Sequence, residues 1–301
     1  MACYEIRKLT FTYPGEQTPA LREVSLTVAD GEFLVLCGAS GSGKSTLLRQ
    51  LKSVLAPHGA RSGEILFGGV PLGDVARGEQ AGAIGFVLQD PENQVVTDKV
   101  WHELAFGLES LGYETPVIRR RVAEMAAFFG IQDWFYKNVS ELSGGQKQLL
   151  SLASVMAMQP RVLLLDEPTS QLDPIAAADF LAVLGRINRE LGTTVILSEH
   201  RLEEALSYAG RAAVLEDGRL LCCAAPGEVG ALLRRQGSGM FYAMPAAMRI
   251  WGATDSEGTS PVTVCEGRAW LHEYAASHKL GELPPERVRA QTEPVLTARE
   301  V

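Results

Sequence analysis

GASGSGKS (Gly38–Ser45) is the most informative segment of this 301-residue chain. It matches the pattern G-x-x-x-x-G-K-[ST], in which glycines let consecutive backbone N–H groups turn toward phosphate oxygens. Lys44 would reach the β- and γ-phosphates, and the hydroxyl of Ser45 is placed for Mg²⁺. The apolar Phe33–Cys37 before it predicts a buried strand, and leucines at helical spacing predict a helix over 45–55 after it. Strand, loop and helix in this order favour a nucleotide-phosphate site over a merely flexible glycine turn.

The stretch VLLLDE (Val162–Glu167) is the companion of this loop. Its four apolar residues predict a buried strand, and ligands of open α/β sheets bind at the carboxyl ends of strands. At that end Asp166 would hold Mg²⁺ directly or through water, and Glu167 would orient or deprotonate an attacking water. Two acids that only cap a strand are the alternative, and the presence of the 38–45 loop favours the catalytic interpretation.

Strands and helices alternate along most of the chain. Further strands are predicted over 4–13, 21–28, 84–88, 194–197, 212–216 and 219–221, and helices over 98–130, 144–158, 175–190 and 201–209. This order predicts an α/β protein with a mostly parallel sheet covered on both faces. The helical block near 98–142 interrupts the alternation as an inserted subdomain. After about residue 225 the pattern weakens, which indicates a small appended segment.

Composition argues against several other classes of protein. The net charge is −8, with 28 Lys and Arg against 36 Asp and Glu, which is unlike a nucleic-acid binder. Five cysteines without zinc-ligand spacing indicate reduced cytosolic thiols. The first ten residues lack the apolar core of a signal peptide, and no apolar stretch reaches the roughly 20 residues of a membrane span. Work at a membrane would therefore require docking on membrane partners.

The pentapeptide LSGGQ (Leu142–Gln146) lies shortly before the Asp-Glu strand. Here the chain resembles the nucleotide-binding domains of ABC ATPases, whose signature motif is LSGGQ. The resemblance implies a P-loop NTPase fold with an ABC ATPase core: a mostly parallel sheet, an antiparallel β subdomain and an inserted α-helical subdomain at about 90–142. It covers roughly residues 4–222, so an ATPase domain is expected over 1–222 and a small extension or linker over 223–301. It also implies ATP, Mg²⁺ and a second ATPase unit, whose bound nucleotide the signature motif would face.

The resemblance assigns roles to further residues. Tyr13 stands where the family stacks an aromatic ring on adenine, Gln89 matches the glutamine loop, and His200 matches the switch histidine at the γ-phosphate. Asp173 ends the D-loop SQLD, in which Gln171 replaces the small residue that is common in the family. The expected catalytic residues are Glu167, His200 and Gln89, and the expected metal ligands are Ser45, Gln89 and Asp166. The expected nucleotide contacts are Tyr13, Gly38, Ala39, Ser40, Gly41, Ser42, Gly43, Lys44, Ser45, Thr46, Ser143, Gly144, Gly145, Gln146 and Asp173.

Two neighbouring stretches, QDPENQ (89–94) and ELAFGLE (103–109), resemble the ATPases of energy-coupling-factor importers, which take up vitamins and transition-metal ions. Leu104, Phe106 and Leu108 would then face the membrane partner, with the core of the helical subdomain as the alternative. The stretches PAAMRI (245–250), SPVTV (260–264) and EGRAWL (266–271) resemble the segment after the first unit of tandem ATPases of this group. Residues 294–301 would be the opening strand of a second unit.

The sequence thus predicts the ATP-hydrolysing subunit of such an importer. It would sit on the cytoplasmic face of the membrane, with a transmembrane scaffold and a substrate-binding membrane subunit. Other ABC importers or exporters remain open. A soluble ABC protein acting on DNA or ribosomes is disfavoured by the charge and by the absence of heptad runs. A regulatory homologue with little turnover is disfavoured by the intact Glu167 and His200.

Overall fold

The glycine-rich loop joins the third strand of the chain to its first helix in a computed structural model that describes residues 2–278. The strands are β1 (Ala2–Thr12), β2 (Leu21–Ala29), β3 (Phe33–Cys37), β4 (Ala60–Phe67), β5 (Val70–Pro71), β6 (Ile84–Val87), β7 (Val162–Asp166), β8 (Thr194–Ser198), β9 (Arg211–Glu216) and β10 (Arg219–Ala224). The helices are α1 (Lys44–Gln50), α2 (Arg77–Ala83), α3 (Val100–Ser110), α4 (Thr115–Phe128), α5 (Gly144–Ala157), α6 (Pro174–Leu191), α7 (Leu202–Tyr208), α8 (Pro226–Gln236), α9 (Ala246–Gly252) and α10 (Val264–Ser277).

The larger sheet has the order β10-β9-β3-β8-β7-β6, and all its pairs are parallel except β10 with β9. This confirms the prediction of a mostly parallel sheet. Strands β3, β7 and β8 are buried along their whole length, as strands covered on both faces must be. Because parallel strands end at the same edge, the segments that follow β3, β6, β7 and β8 emerge together.

A smaller antiparallel sheet, in the order β2-β1-β4-β5, packs on the opposite side of β3 from the helical layer. The side chains of β3 show why two cores form. Val35 and Cys37 belong to the core shared with the helices, whereas Leu34 and Leu36 belong to the core shared with the small sheet. This is the two-residue alternation of a strand. The antiparallel pairs of the small sheet confirm the predicted antiparallel β subdomain.

The inserted helical block contains two helices where the sequence predicted one helical stretch over 98–130. Helix α3 ends at Ser110 with Leu111 as its C-cap, and Gly112 follows with a φ of +77°, which favours glycine and turns the chain before α4. Leu104 and Leu108 are fully buried in the core of this block. Their predicted contact with a membrane partner is therefore wrong, and of the three candidates only Phe106, 37% exposed, reaches the surface.

The helix after the glycine-rich loop is shorter than the predicted 45–55. It ends at Gln50, because Lys52 adopts an extended backbone and its ammonium donates to the carbonyl of Ile84 at 2.6 Å. A 3-10 turn, Ser53–Leu55, follows. Leu55 therefore lies outside the helical stripe that its spacing suggested.

The segment after residue 225 is helical, although its sequence pattern is weak. Helices α8 and α9 pack together, and the Arg234 guanidinium holds the carbonyls of Thr254 and Ser256. Residues 294–301, with the predicted opening strand of a second unit, lie outside the described residues. Within residues 2–278, no helix combines the length and apolar character needed to cross a bilayer.

Candidate functional site

The glycine-rich loop has a backbone that only glycines adopt without strain. Gly41 has a φ of +80° and Gly43 a φ of +103°. A Cβ at Gly43 would also lie 2.7 Å from the carbonyl oxygen of Ala20. Both the backbone conformation and the lack of space therefore exclude a side chain at this position. Ala39, Ser40 and Gly41 are exposed at the tip of the loop, where a phosphate has access.

Lys44 opens helix α1 and is 4% exposed. Its ammonium donates to the carbonyls of Gly38 at 2.8 Å and Ala39 at 3.2 Å, so it lies inside the curve of the loop. Its Nζ is also 3.7 Å from Oε1 of Glu167. A buried ammonium enclosed by its own loop is a point charge directed at whatever the loop binds.

Ser45 and Asp166 meet across the sheet edge. The Ser45 hydroxyl donates to Oδ1 of Asp166 at 2.7 Å. Burial raises the pKa of Asp166, and the hydrogen bond from Ser45 opposes that rise. A hydroxyl and a buried carboxylate side by side form the hard oxygen donor set that Mg²⁺ prefers, and a cation would relieve the cost of burying the charge. These two predicted ligands therefore fit the metal.

Glu167 and His200 form the second pair at this edge. His200 Nε2 lies 2.8 Å from Glu167 Oε1 and 3.5 Å from Lys44 Nζ. An ammonium only donates and a carboxylate only accepts, so a single ring nitrogen cannot serve both. The shorter contact places the proton on Nε2, which donates to Glu167. Glu167 has a φ of +49°, unusual for a residue other than glycine, and such strain clusters at functional sites.

Gln89 follows β6, the neighbour of β7, and its side chain is exposed and makes no hydrogen bond to residues 2–278. The backbone just before it is braced by two glutamines that the sequence reading missed. Gln94 accepts from the amide of Leu88 at 2.8 Å, and Gln148 donates to the carbonyl of Leu88 at 3.3 Å. Gln94 is the last residue of the QDPENQ stretch, and its closeness to Gln89 in the sequence could have indicated this role.

The signature residues lie at the start of helix α5. Ser143 and Gln146 form a capping box, in which each side chain accepts from the other residue's amide. Ser143, Gly145 and Gln146 line a shallow cavity of about 250 Å³ between α5 and α6. No hydrogen bond among the described residues connects Ser143, Gly144, Gly145 or Gln146 with the 38–45 loop, so one chain does not bring these two predicted halves together.

Tyr13 and Asp173 have different positions relative to the loop. The Tyr13 hydroxyl is 3.0 Å from that of Thr46, which places the ring beside helix α1. The Asp173 carboxylate instead caps α6 and accepts from the amides of Ile175 at 2.9 Å and Ala176 at 3.0 Å. A contact between Asp173 and nucleotide remains a prediction.

Comparison with known proteins supplies independent evidence. The family model described as ABC transporter matches residues 21–170. A Bacillus cereus protein that carries the name of an ABC transporter ATP-binding protein is 44% identical over 299 residues, which are 99% of this chain and 53% of that protein. The chain thus spans about half the length of the curated relatives it matches.

Two solved structures are also similar. CbiO1 from Clostridium perfringens, described as part of the ABC transporter complex CbiONQ, aligns with a TM-score of 0.70 and 32% identity, over 78% of this chain and 94% of that one. An ATP-binding cassette solved as a dimer in a post-hydrolysis state with ADP and Pi aligns with a TM-score of 0.64 and 26% identity, over 74% of this chain and 98% of that one.

Proposed function

The chain belongs to the ABC transporter family as an ABC ATPase domain, and from that premise we propose that it binds and hydrolyses ATP to energise a membrane importer. The observation that carries the proposal is the convergence of Lys44, Asp166, Glu167 and His200 at one edge of the sheet, with the contacts given above. A fold alone would not require these four side chains to meet.

The residues can be assigned to the steps of phosphoryl transfer, in which positioning and charge neutralisation supply most of the catalysis. Lys44 and the amides of the loop stabilise the phosphate charge. Glu167 orients or accepts a proton from the attacking water, and His200 donates from Nε2 toward the γ-phosphate or Glu167. Ser45, Asp166 and Gln89 would hold Mg²⁺, which when bound neutralises charge on the phosphates.

The site needs a second ATPase unit to be complete. Ser143 and Gly145 start a helix whose amides suit an anion, yet they form no bond to the chain's own phosphate loop. ATP would therefore bind between the loop of one unit and the signature helix of another. The dimeric state of the ADP-bound relative supports this arrangement. The second unit is another copy, a related chain or the other half of a tandem protein.

The tandem alternative draws on length. The alignment with the Bacillus cereus protein includes 99% of this chain but only 53% of that protein. That protein is therefore about 99/53 times, or nearly twice, as long as this chain. We propose that this chain corresponds to one half of such a tandem. Sequencing the reading frame past Val301 tests it: a second phosphate loop supports the proposal, and a stop codon directly after Val301 contradicts it.

A membrane partner would dock on the helical subdomain. An apolar groove of about 400 Å³ runs between α3 and α4, with Trp101, Ile118 and Tyr136 in its lining. Trp101 is 41% and Tyr136 80% exposed, and aromatic side chains are enriched at interfaces. We propose a helix of a transmembrane scaffold subunit as the occupant. The CbiONQ assembly of one relative supports an energy-coupling-factor importer of a vitamin or transition-metal ion, with this chain on the cytoplasmic face.

A pull-down from mildly solubilised membranes of the source cells tests the transport proposal. The chain is the bait, and Trp101→Ala is compared with Trp134→Phe, a conservative change in the core. Recovery of a multi-spanning protein and a small substrate-binding membrane protein by wild type, but not by Trp101→Ala, supports the proposal. Recovery of ribosomes or DNA-repair proteins instead would leave the ATPase chemistry intact and overturn the importer assignment.

A further inference from the structure

A buried carboxylate lies directly behind the Glu167–His200 pair. Glu199 is 2% exposed, and both its oxygens are used. Oε1 accepts from the amides of His200 at 2.7 Å and Arg201 at 3.1 Å, and Oε2 accepts from the hydroxyl of Thr169 at 2.6 Å. Thr169 is itself fully buried.

The partners of Glu199 belong to two different loops. The two amides belong to the loop that carries His200, and Thr169 lies two residues after Glu167 in the next loop of the sheet edge. Burying a carboxylate is costly unless hydrogen bonds compensate it. Three hydrogen bonds, from two backbone amides and one hydroxyl, compensate the burial of Glu199. The position of Glu199 is therefore best explained by its role in joining the loop of His200 to the loop of Thr169.

Two further bonds join the end of β8 and the segment after it to the segment after β7. The amide of Glu167 donates to the carbonyl of Ser198 at 3.0 Å, and the Arg201 guanidinium donates to the carbonyl of Leu172 at 2.8 Å. The first bond continues the backbone pairing of β7 and β8 by one residue, and the side-chain bonds of Arg201 and Glu199 join the segments beyond it. The Glu167–His200 contact lies within this series.

We propose that Glu199 and Thr169 are positioning residues, which hold His200 in register with Glu167 for hydrolysis. This inference rests on the proposed function. A misplacement of about 1 Å in a catalytic group can cost about 100-fold in rate. We call the bond between Thr169 and Glu199, with the bonds from Glu199 to the amides of His200 and Arg201, the bracket. Loss of the bracket is expected to lower kcat by about 10- to 100-fold. The KM for ATP should stay within about threefold, because the phosphate loop is untouched.

Thr169→Val tests the bracket, since it keeps the shape of the side chain and removes the hydroxyl, and Thr169→Ser is its matched control. Steady-state hydrolysis is measured well below the melting temperature of each variant. A kcat loss in Thr169→Val with KM preserved, and near wild-type kcat in Thr169→Ser, is the expected result. Wild-type kcat in Thr169→Val, or an equal loss in both variants, overturns the proposal.

A second readout is independent of turnover. The ¹⁵N spectrum of the His200 ring shows which nitrogen carries the proton. In wild type the proton should reside on Nε2, and in Thr169→Val and Glu199→Ala both tautomers should appear. An unchanged spectrum in both variants contradicts the bracket. If wild type itself fails to hydrolyse ATP, the proposed function falls, and this spectrum still decides whether the bracket holds the pair.

Discussion

The Nε2 atom of His200 lies 2.8 Å from Oε1 of Glu167, although 33 positions separate the two residues in the chain. The contact follows from the pairing of two parallel strands: Asp166 is the register partner of Ser198, so the residues just after each strand emerge side by side. The sheet thereby places a carboxylate and an imidazole together at the edge where the phosphate loop also begins.

Replacing Lys44 with alanine removes the buried ammonium that the loop encloses. We expect nucleotide affinity to fall by roughly 10-fold or more and turnover to be abolished, because Lys44 is the ammonium that the loop holds in place for the β- and γ-phosphates. Fluorescent-nucleotide titration and phosphate release measure the two effects.

Lys137→Ala is the control for this variant, since Lys137 is exposed on the helical subdomain. It should bind and hydrolyse ATP like wild type. Wild-type activity in Lys44→Ala would show that the loop is not the site of the reaction.

Asp166→Asn should separate stability from activity. Burial raises the pKa of Asp166 in the folded protein. Between the pKa of Asp166 in the unfolded chain and its higher pKa in the folded chain, the unfolded chain has lost the proton and the folded chain has kept it. The stability of the nucleotide-free protein should therefore be full below the unfolded pKa and decrease as pH rises through the folded pKa. Asn keeps the acceptor for Ser45 but carries no charge. At pH 7 with EDTA we expect Asp166→Asn to melt at a higher temperature than wild type and to lose ATP hydrolysis. The melting temperature should rise by about 2–4 °C for each kcal/mol that wild type loses by burying the charged carboxylate.

Melting curves of wild type and Asp166→Asn between pH 3 and 8 test this sign. A difference in stability that grows with pH supports it. An Asn variant that melts lower than wild type at pH 7 would show that the carboxylate stabilises the nucleotide-free fold.

Ser143→Arg should block dimer formation without affecting the nucleotide site of the single chain. Ser143 begins α5 at a shallow cavity, and a long cation there would occupy the position of the partner's phosphate. We expect ATP-dependent dimers to disappear in size-exclusion chromatography, while nucleotide affinity of the monomer stays within about threefold. Ser140→Arg, at an exposed position nearby, is the control. Dimers of unchanged stability in Ser143→Arg would contradict the composite site.

Thiol reactivity should distinguish the five cysteines. Burial raises the pKa of Cys37 to about 12 and those of Cys3 and Cys222 to about 11, and it also raises the pKa of Cys223. Cys265 is the exposed thiol. Because the thiolate is the reactive form, one thiol should react fast with a disulfide reagent at pH 8, and Cys265→Ser should remove that phase. Two or more fast thiols in the native protein would contradict this assignment.

Sequence patterns predicted the sheet well, because its strands carry strong local signals. The apolar run Phe33–Cys37 is a strand with the predicted bounds, and the motifs after the strands fix which residues lie at the edge. The chemistry of Lys44, Ser45, Asp166 and Glu167 could be assigned for the same reason, because each lies in a recognisable loop motif or at the end of a buried strand.

Other features depend on partners that are distant in sequence. The early end of α1 depends on Lys52 reaching the carbonyl of Ile84, and the burial of Leu104 depends on how the helices of the subdomain pack. The bracket of Glu199 and Thr169 depends on the register of two strands. Spacing within the sequence shows none of these contacts.

Hydrolysis by Glu167→Gln compared with wild type shows whether Glu167 acts on the attacking water. Gln keeps the size of the side chain and its oxygen, but it can neither accept a proton from water nor carry the charge that faces His200 and Lys44. We predict a rate at least about 100-fold below wild type, with ATP still bound at nearly wild-type affinity. A Glu167→Gln variant that hydrolyses ATP as fast as wild type would contradict the assignment of the site.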